Sequence, residues 1–342
     1  MAPFVVLLGP APSNVRFLPT GREEMDGRSR EPACDAPGSG MLWPMGRLPA
    51  VALLLVLLAA CPAGAASGTS PDPGVHWESL LPDMPPAGPQ PAAVPNCRRP
   101  SLRCIDTEIR RMRAAQRHFG CDHRGVFATT YLELTLQFRR DLRSRRVRFA
   151  DRRYMFTEDA LFADVYFRTL RSYAAGRPVP AAWRIALDTA RSGQVNAAQD
   201  MLLGINAHVQ NDMPFVVARL GLVRPDGTSR KADHDAFNDV LSAAYEPVVE
   251  AIARRYDPMV ALTNASWDPA DDIAGLELVR EWREEVWRNA EQLVAAKDAT
   301  ARARVAQHIE DYAAGWGQGI AATPQPGYRA TRDAYCAAHL AH

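Results

Sequence analysis

A histidine and an aspartate one helical turn apart are the residues best suited to chemistry in this chain. In QDMLLGINAHVQNDMPFVVARLGLV (residues 199–223), Met201, Ile205, His208, Asp212, Val216 and Leu220 recur at steps of three or four. That spacing marks one face of a helix. Four of the six are apolar, so the face belongs to a core, and His208 and Asp212 interrupt it. A buried carboxylate without a partner is very costly. Asp212 therefore needs a metal ion, a cation or several N–H donors. Pro214 has no backbone N–H to offer the Gln210 carbonyl, which predicts a kink beside the pair.

His123 heads a second apolar stripe, with Phe127, Tyr131, Leu134 and Phe138 following it. His234 heads a third, with Asn238 one turn on. Three inward histidines and one carboxylate suffice for zinc or another divalent metal in a helical bundle. His208, Asp212, His123 and His234 are the expected ligands, with His208 and Asp212 as the catalytic pair. Such a metal lowers the pKa of a bound water and polarises a phosphoryl or carbonyl oxygen. The competing reading makes each histidine a hydrogen-bonded core or cap residue and pairs Asp212 with an arginine or a backbone N–H. Asn206 and Asn211 flank the pair; they either position a substrate or cap a helix broken near Pro214, and we prefer the cap. His118 and Asp122 repeat the spacing, but Gly120 between them ends the helix. No G-x-S-x-G, P-loop, G-x-G-x-x-G or H-E-x-x-H is present, so neither a serine hydrolase nor a nucleotide enzyme is supported.

The elements that must position these residues are helices. Periodic segments span 102–119, 123–142, 161–174, 180–191, 195–220, 231–255, 271–296 and 301–320, with no run of strict alternation. Ser101 is a candidate N-cap for the first. Thr157 is a candidate N-cap for the third, with Glu158 and Asp159 in its first turn. Trp183, Trp282, Trp287 and Trp316 sit at core spacing. Arg224-Pro225-Asp226-Gly227 is turn chemistry. The expected fold is all-α, a single bundle of about eight helices.

Domain organisation follows from composition. Residues 1–40 have no sustained period and read as an upstream extension. Residues 41–66 have the layout of a secretory signal: Arg47, the apolar run Pro49–Ala60, then Ala63-Gly64-Ala65. The run is shorter than the about 20 residues a spanning helix needs. Leu58-Ala59-Ala60-Cys61 also resembles a lipobox, so free secretion and lipid anchoring both stand. Residues 67–100 are a proline-rich linker, and residues 101–342 are the helical domain. Either route places that domain outside the cytoplasm or in the cell envelope.

Cysteine parity agrees with export. Cys97, Cys104, Cys121 and Cys336 allow three pairings. A straight helix between Cys104 and Cys121 holds them roughly 25 Å apart, beyond disulfide reach. We favour Cys97–Cys104 with Cys121–Cys336, which fastens the C-terminal tail. The formal net charge is +1, so no global field favours nucleic acid. Residues 138–153, FRRDLRSRRVRFADRR, concentrate eight arginines. With the N-terminal anchor they offer a contact to a membrane or wall surface; the other reading is a solvated helix end.

Three stretches carry a resemblance. Cys121–Thr135 (CDHRGVFATTYLELT), Phe162–Phe167 (FADVYF) and Leu203–Pro214 (LGINAHVQNDMP) resemble an exported actinobacterial family known as the domain of unknown function DUF5995. The likeness covers most of Ser101–Cys336 and implies no activity. More distantly, His208–Pro214 is similar to a metal helix of the zinc-dependent phospholipase C and single-strand nuclease group. That likeness implies a metal-ligand role for His208 and Asp212 alone, because the mature start is not tryptophan and His234 is followed by Asn238. Two functions are therefore expected: an exported metal-dependent hydrolase centred on His208 and Asp212, or a non-catalytic envelope protein binding lipid, wall polymer or protein, with the pair structural.

Overall fold

The computed structural model describes Val94 and residues 96–264, 269–325 and 327–340. The expected extension, signal, Cys61 lipobox and nearly all of the linker lie outside these residues. Among the described residues the fold is all-α, without strands. The helices are α1 (Leu102–Phe119), α2 (Arg124–Ser144), α3 (Arg152–Ala174), α4 (Ala181–Ser192) and α5 (Ala197–Asn206). A π-helical turn (Ala207–Asp212) then joins α5 to α6 (Met213–Leu220). They continue as α7 (Lys231–Arg255), α8 (Pro269–Ala295), α9 (Ala299–Ala321) and α10 (Tyr328–Leu340). With α5, the π turn and α6 counted as one rod, there are nine helices among the described residues, against the eight read from periodicity. The additional one is α10.

The α5–π–α6 rod runs through the middle, against α2, α3, α4, α8 and α9. Around it α1 lies along α2, α2 along α7, α4 along α9 and α6 along α8. The rod is built from both ends. Asn196 accepts a hydrogen bond from the Gln199 N–H at 2.9 Å, and the Gln199 side chain accepts from the Asn196 N–H at 3.3 Å. This reciprocal cap satisfies two N–H groups that a helix start leaves open. At the other end Gly221, at φ 87°, stops α6.

Two caps differ from the sequence reading. Ser101 precedes α1 but makes no side-chain capping bond. Helix α3 starts at Arg152, capped by Asp151, whose carboxylate accepts from the Tyr154 N–H at 2.9 Å. Thr157 is thus inside the helix and bonds back to the Arg153 carbonyl at 2.9 Å. The consequence is large: Glu158 and Asp159 are mid-helix residues directed into the protein, not exposed first-turn charges.

Both favoured disulfides are present, Cys97–Cys104 and Cys121–Cys336. The first holds Val94 and Cys97, both buried, in the main core. The second ties α10 to the start of α2, across a sequence separation of 215.

Candidate functional site

Pro214 does break the regular ladder, but by widening it. The Met213 N–H reaches the His208 carbonyl, five residues back, in place of the usual four. Such π turns inside α-helices occur frequently at functional sites. Here the turn carries His208 and Asp212, which are 2% and 4% exposed.

Asp212 is richly satisfied. Its Oδ2 lies 2.9 Å from His208 Nδ1 and accepts from Trp183 Nε1 at 2.8 Å, while Oδ1 accepts from Asn211 Nδ2 at 2.8 Å. A carboxylate accepts and does not donate, so the histidine proton sits on Nδ1. Burial lowers the His208 pKa, against the opposing pull of Asp212. The imidazole is therefore neutral, and its Nε2 is buried without a hydrogen-bond partner. The ring is stacked on Phe162, with centroids 3.5 Å apart and planes 5° from parallel. Phe127, Tyr131, Tyr166 and Trp183 complete an aromatic box around it. Trp183 thus does more than fill the core. Neither asparagine caps a broken helix: Asn211 supports Asp212, and Asn206 donates to the Ala313 carbonyl of α9 at 2.8 Å.

The other two histidines lie in different neighbourhoods. His123 Nε2 is 2.8 Å from Asp333, and its Nδ1 is 2.6 Å from Arg332 Nη1, which also bonds Asp200 at 2.7 Å. This network docks α10 beside the Cys121–Cys336 disulfide. His234 Nε2 is 3.0 Å from the Arg283 carbonyl, and burial together with the Arg283 charge pushes its pKa well down. The four expected ligands therefore occupy three places, and only His208 and Asp212 are together. Among the described residues no group of three or more His, Cys, Asp or Glu side chains is arranged to hold a metal ion. Gly120 ends α1 as expected, leaving His118 exposed and Asp122 paired with Arg124 at 2.6 Å.

Sequence reasoning missed the acidic residues on the other side of the aromatic box. A narrow apolar cleft, with about 40 Å³ of enclosed space, opens between α2, α3, the rod and α7. Tyr131 and Phe162 are walls common to the cleft and to the His208 box. Its other walls include Leu134, Phe138, Val209 and Leu241, while Glu158, Asp159 and Arg283 supply charge. Burial, then the nearby Glu108 and Glu158 carboxyls, raises the Asp159 pKa well above 3.8. Burial raises Glu158 as well, against the pull of Arg283. Glu108, fully buried on α1, is raised by burial to about 7 despite its 2.7 Å bond to Arg111. The signal that could have found them is the α3 start: phased from Asp151, Glu158 falls on the buried face with Tyr154 and Leu161.

The arginine run is divided. Arg139, Arg140, Arg146 and Arg152 have partners within the fold: Asp106, Gln137, Asp141 and the Leu142 carbonyl. Arg143, Arg145, Arg148 and Arg153 are exposed.

A family model matches residues 105–323, a span that includes the π turn, the aromatic box and the cleft. The chain belongs to DUF5995, a family of unknown function. No curated protein and no solved structure matches it. The DUF5995 match ends before Arg332, Asp333 and Cys336, so the α10 clamp lies outside it.

Two chemical capacities are present. An imidazole oriented by a carboxylate, with its second nitrogen buried and unpartnered, has the donor–acceptor order of a general base. Carboxyl groups whose pKa burial raises, as at Glu108, Glu158 and Asp159, are suited to act as a general acid or a hydrogen-bond donor. Both abut the cleft wall.

Proposed function

We propose that this DUF5995 protein is an exported envelope protein that binds a slim, mostly apolar molecule in the cleft beneath α7. The observation that carries the reading is the pairing of a narrow apolar cleft with a carboxylate, Asp212, that already accepts three hydrogen bonds behind its wall. Ligand sites are typically apolar concavities with a few convergent polar groups. On this reading His208 and Asp212 brace the aromatic wall formed by Tyr131 and Phe162. The two disulfides suit an oxidising compartment. No described helix is long and apolar enough to cross a membrane. The exposed arginines Arg143, Arg145, Arg148 and Arg153 suit contact with an anionic envelope surface.

Titration calorimetry with 1-octanol tests the cleft. Saturable binding is expected, abolished by Leu241→Trp, which fills the cleft from α7. Absence of saturable binding to the wild type overturns the reading. A second reading, acid–base hydrolysis, is favoured by the open Nε2 of His208. It predicts turnover of an ester or phosphodiester that His208→Gln abolishes while octanol binding persists. A zinc or other divalent ion on the rod would require ligands in addition to His208 and Asp212. Elemental analysis tests it: stoichiometric metal in the wild type, absent from His208→Ala, replaces the binding reading with a metal-dependent hydrolase.

A further inference from the structure

The residues that line the cleft include buried polar atoms whose hydrogen-bonding capacity is unused. Asp159 Oδ2, Glu158 Oε2 and the Tyr131 hydroxyl are closed to solvent and make no hydrogen bond of normal geometry, although the Tyr154 hydroxyl lies near the Glu158 carboxyl. All three residues line the cleft. Glu158 and Tyr131 are 3% and 4% exposed, so water does not satisfy them in bulk. Buried polar groups are nearly always paired, and exceptions call for a specific explanation. From these atoms, we infer that the cleft selects an apolar molecule ending in a primary ammonium group. The inference rests on the cleft being the binding site.

Three features fix the sign and class of the head group. First, a primary ammonium has three N–H donors and no acceptor, suited to the unused lone pairs of Asp159 Oδ2, Glu158 Oε2 and the Tyr131 hydroxyl. Second, the one guanidinium on the cleft wall is already committed. Arg283 Nε donates to Asn238 Oδ1 at 2.8 Å, Nη1 faces Met213 Sδ at 3.5 Å, and Nη2 donates to the His234 carbonyl. An anionic head would find no free donor from Arg283 and would face two carboxyl groups. Third, Tyr131 and Phe162 present aromatic rings in the same wall, and ring faces attract a desolvated cation. The rest of the wall, with Leu134, Phe138, Val209 and Leu241, takes the hydrocarbon. Binding is written with the proton balanced: the ammonium enters charged, and a carboxylic acid of the Glu158–Asp159 pair releases its proton to solvent. No covalent step is involved.

Calorimetry on the full chain with octylammonium, 1-octanol and octanoate tests this. Octylammonium should bind at least tenfold tighter than 1-octanol, with octanoate the weakest. The double variant Glu158→Gln, Asp159→Asn should lower octylammonium affinity to that of 1-octanol and leave 1-octanol unchanged. The 1-octanol signal also reports that the variant is folded. If 1-octanol or octanoate equals or exceeds octylammonium on the wild type, the ammonium assignment is overturned while the cleft stands. If none of the three binds, the cleft reading and this inference fall together. A double variant that keeps the octylammonium preference also overturns the assignment.

Discussion

His208 and Glu158 lie on opposite sides of the same aromatic wall, and their polar atoms are treated in opposite ways. Behind the wall, Asp212 gathers three hydrogen bonds and holds the imidazole in one tautomer. In front of it, Glu158 and Asp159 keep oxygens with no partner. The first region is organised for rigidity, because satisfied buried networks fix one packing. The second keeps unmet capacity where a cleft reaches it. A conspicuous polar pair in an apolar stripe thus marks the brace, and two inconspicuous acids mark the place left open.

The largest way to break this contrast is Asp212→Ala. It strands Trp183 Nε1, His208 Nδ1 and the Asn211 amide inside the core. We expect a loss of about 4 kcal/mol, since each buried donor left unsatisfied costs roughly 1–3 kcal/mol. Urea unfolding measures it, and a loss under about 1 kcal/mol would show that the pair braces nothing.

Next in size is a pH slope that runs in opposite directions on the two sides. The Glu108 carboxyl is raised from 4.5 to about 7 in the folded protein. Its contribution is fully present below the unfolded value and is lost as pH rises through about 7. Its size is on the order of 3 kcal/mol. Glu158 and Asp159 have the same sign. His208 is lowered from 6.5, so its contribution is present above that value and is lost as pH falls. Stability measured from pH 4.5 to 8 should therefore lose part of its decline with rising pH in Glu108→Gln. The same profile should decline more steeply in His208→Gln. Profiles unchanged in both variants would remove the acid–base distinction between the two sides.

Gly204→Ala is a smaller disturbance on the brace side. A Cβ there would sit 2.3 Å from Phe127 Cγ, inside the aromatic box. Overpacking of this kind costs about 2 kcal/mol. The melting temperature should fall, and octanol affinity should drop with it if the wall shifts. The smallest effect should be a gain. Asp159→Leu replaces an unpartnered buried carboxyl with hydrocarbon and should stabilise by about 1 kcal/mol, because buried polar groups without partners are costly. A destabilised Asp159→Leu would mean that Asp159 is held by the fold and not kept open.

The rod and its polar pair were legible because periodicity places residues on a face, and Met201, Ile205, Val216 and Leu220 left little doubt about which face. Convergence was not legible. A stripe says that His123 points inward without saying which helix it meets, and it met α10. That helix was missed because its buried set is short: Arg332 and Cys336 are its buried residues. The acidic residues were missed for a local reason. The third helix was started from Thr157 in place of Asp151, which put Glu158 and Asp159 in its first turn and left their burial unread.

The Cys121–Cys336 bond has a mechanical meaning. Tension applied between the residues before Cys97 and those after Cys336 need not travel through the chain between Cys121 and Cys336. Covalent bonds carry it from the Cys97–Cys104 staple along α1, across to α10 and out. The 215-residue separation spanned by that bond contains the rod, the aromatic box and almost every wall of the cleft. A domain held on a tether at a moving surface could be pulled hard while its cleft stays unloaded.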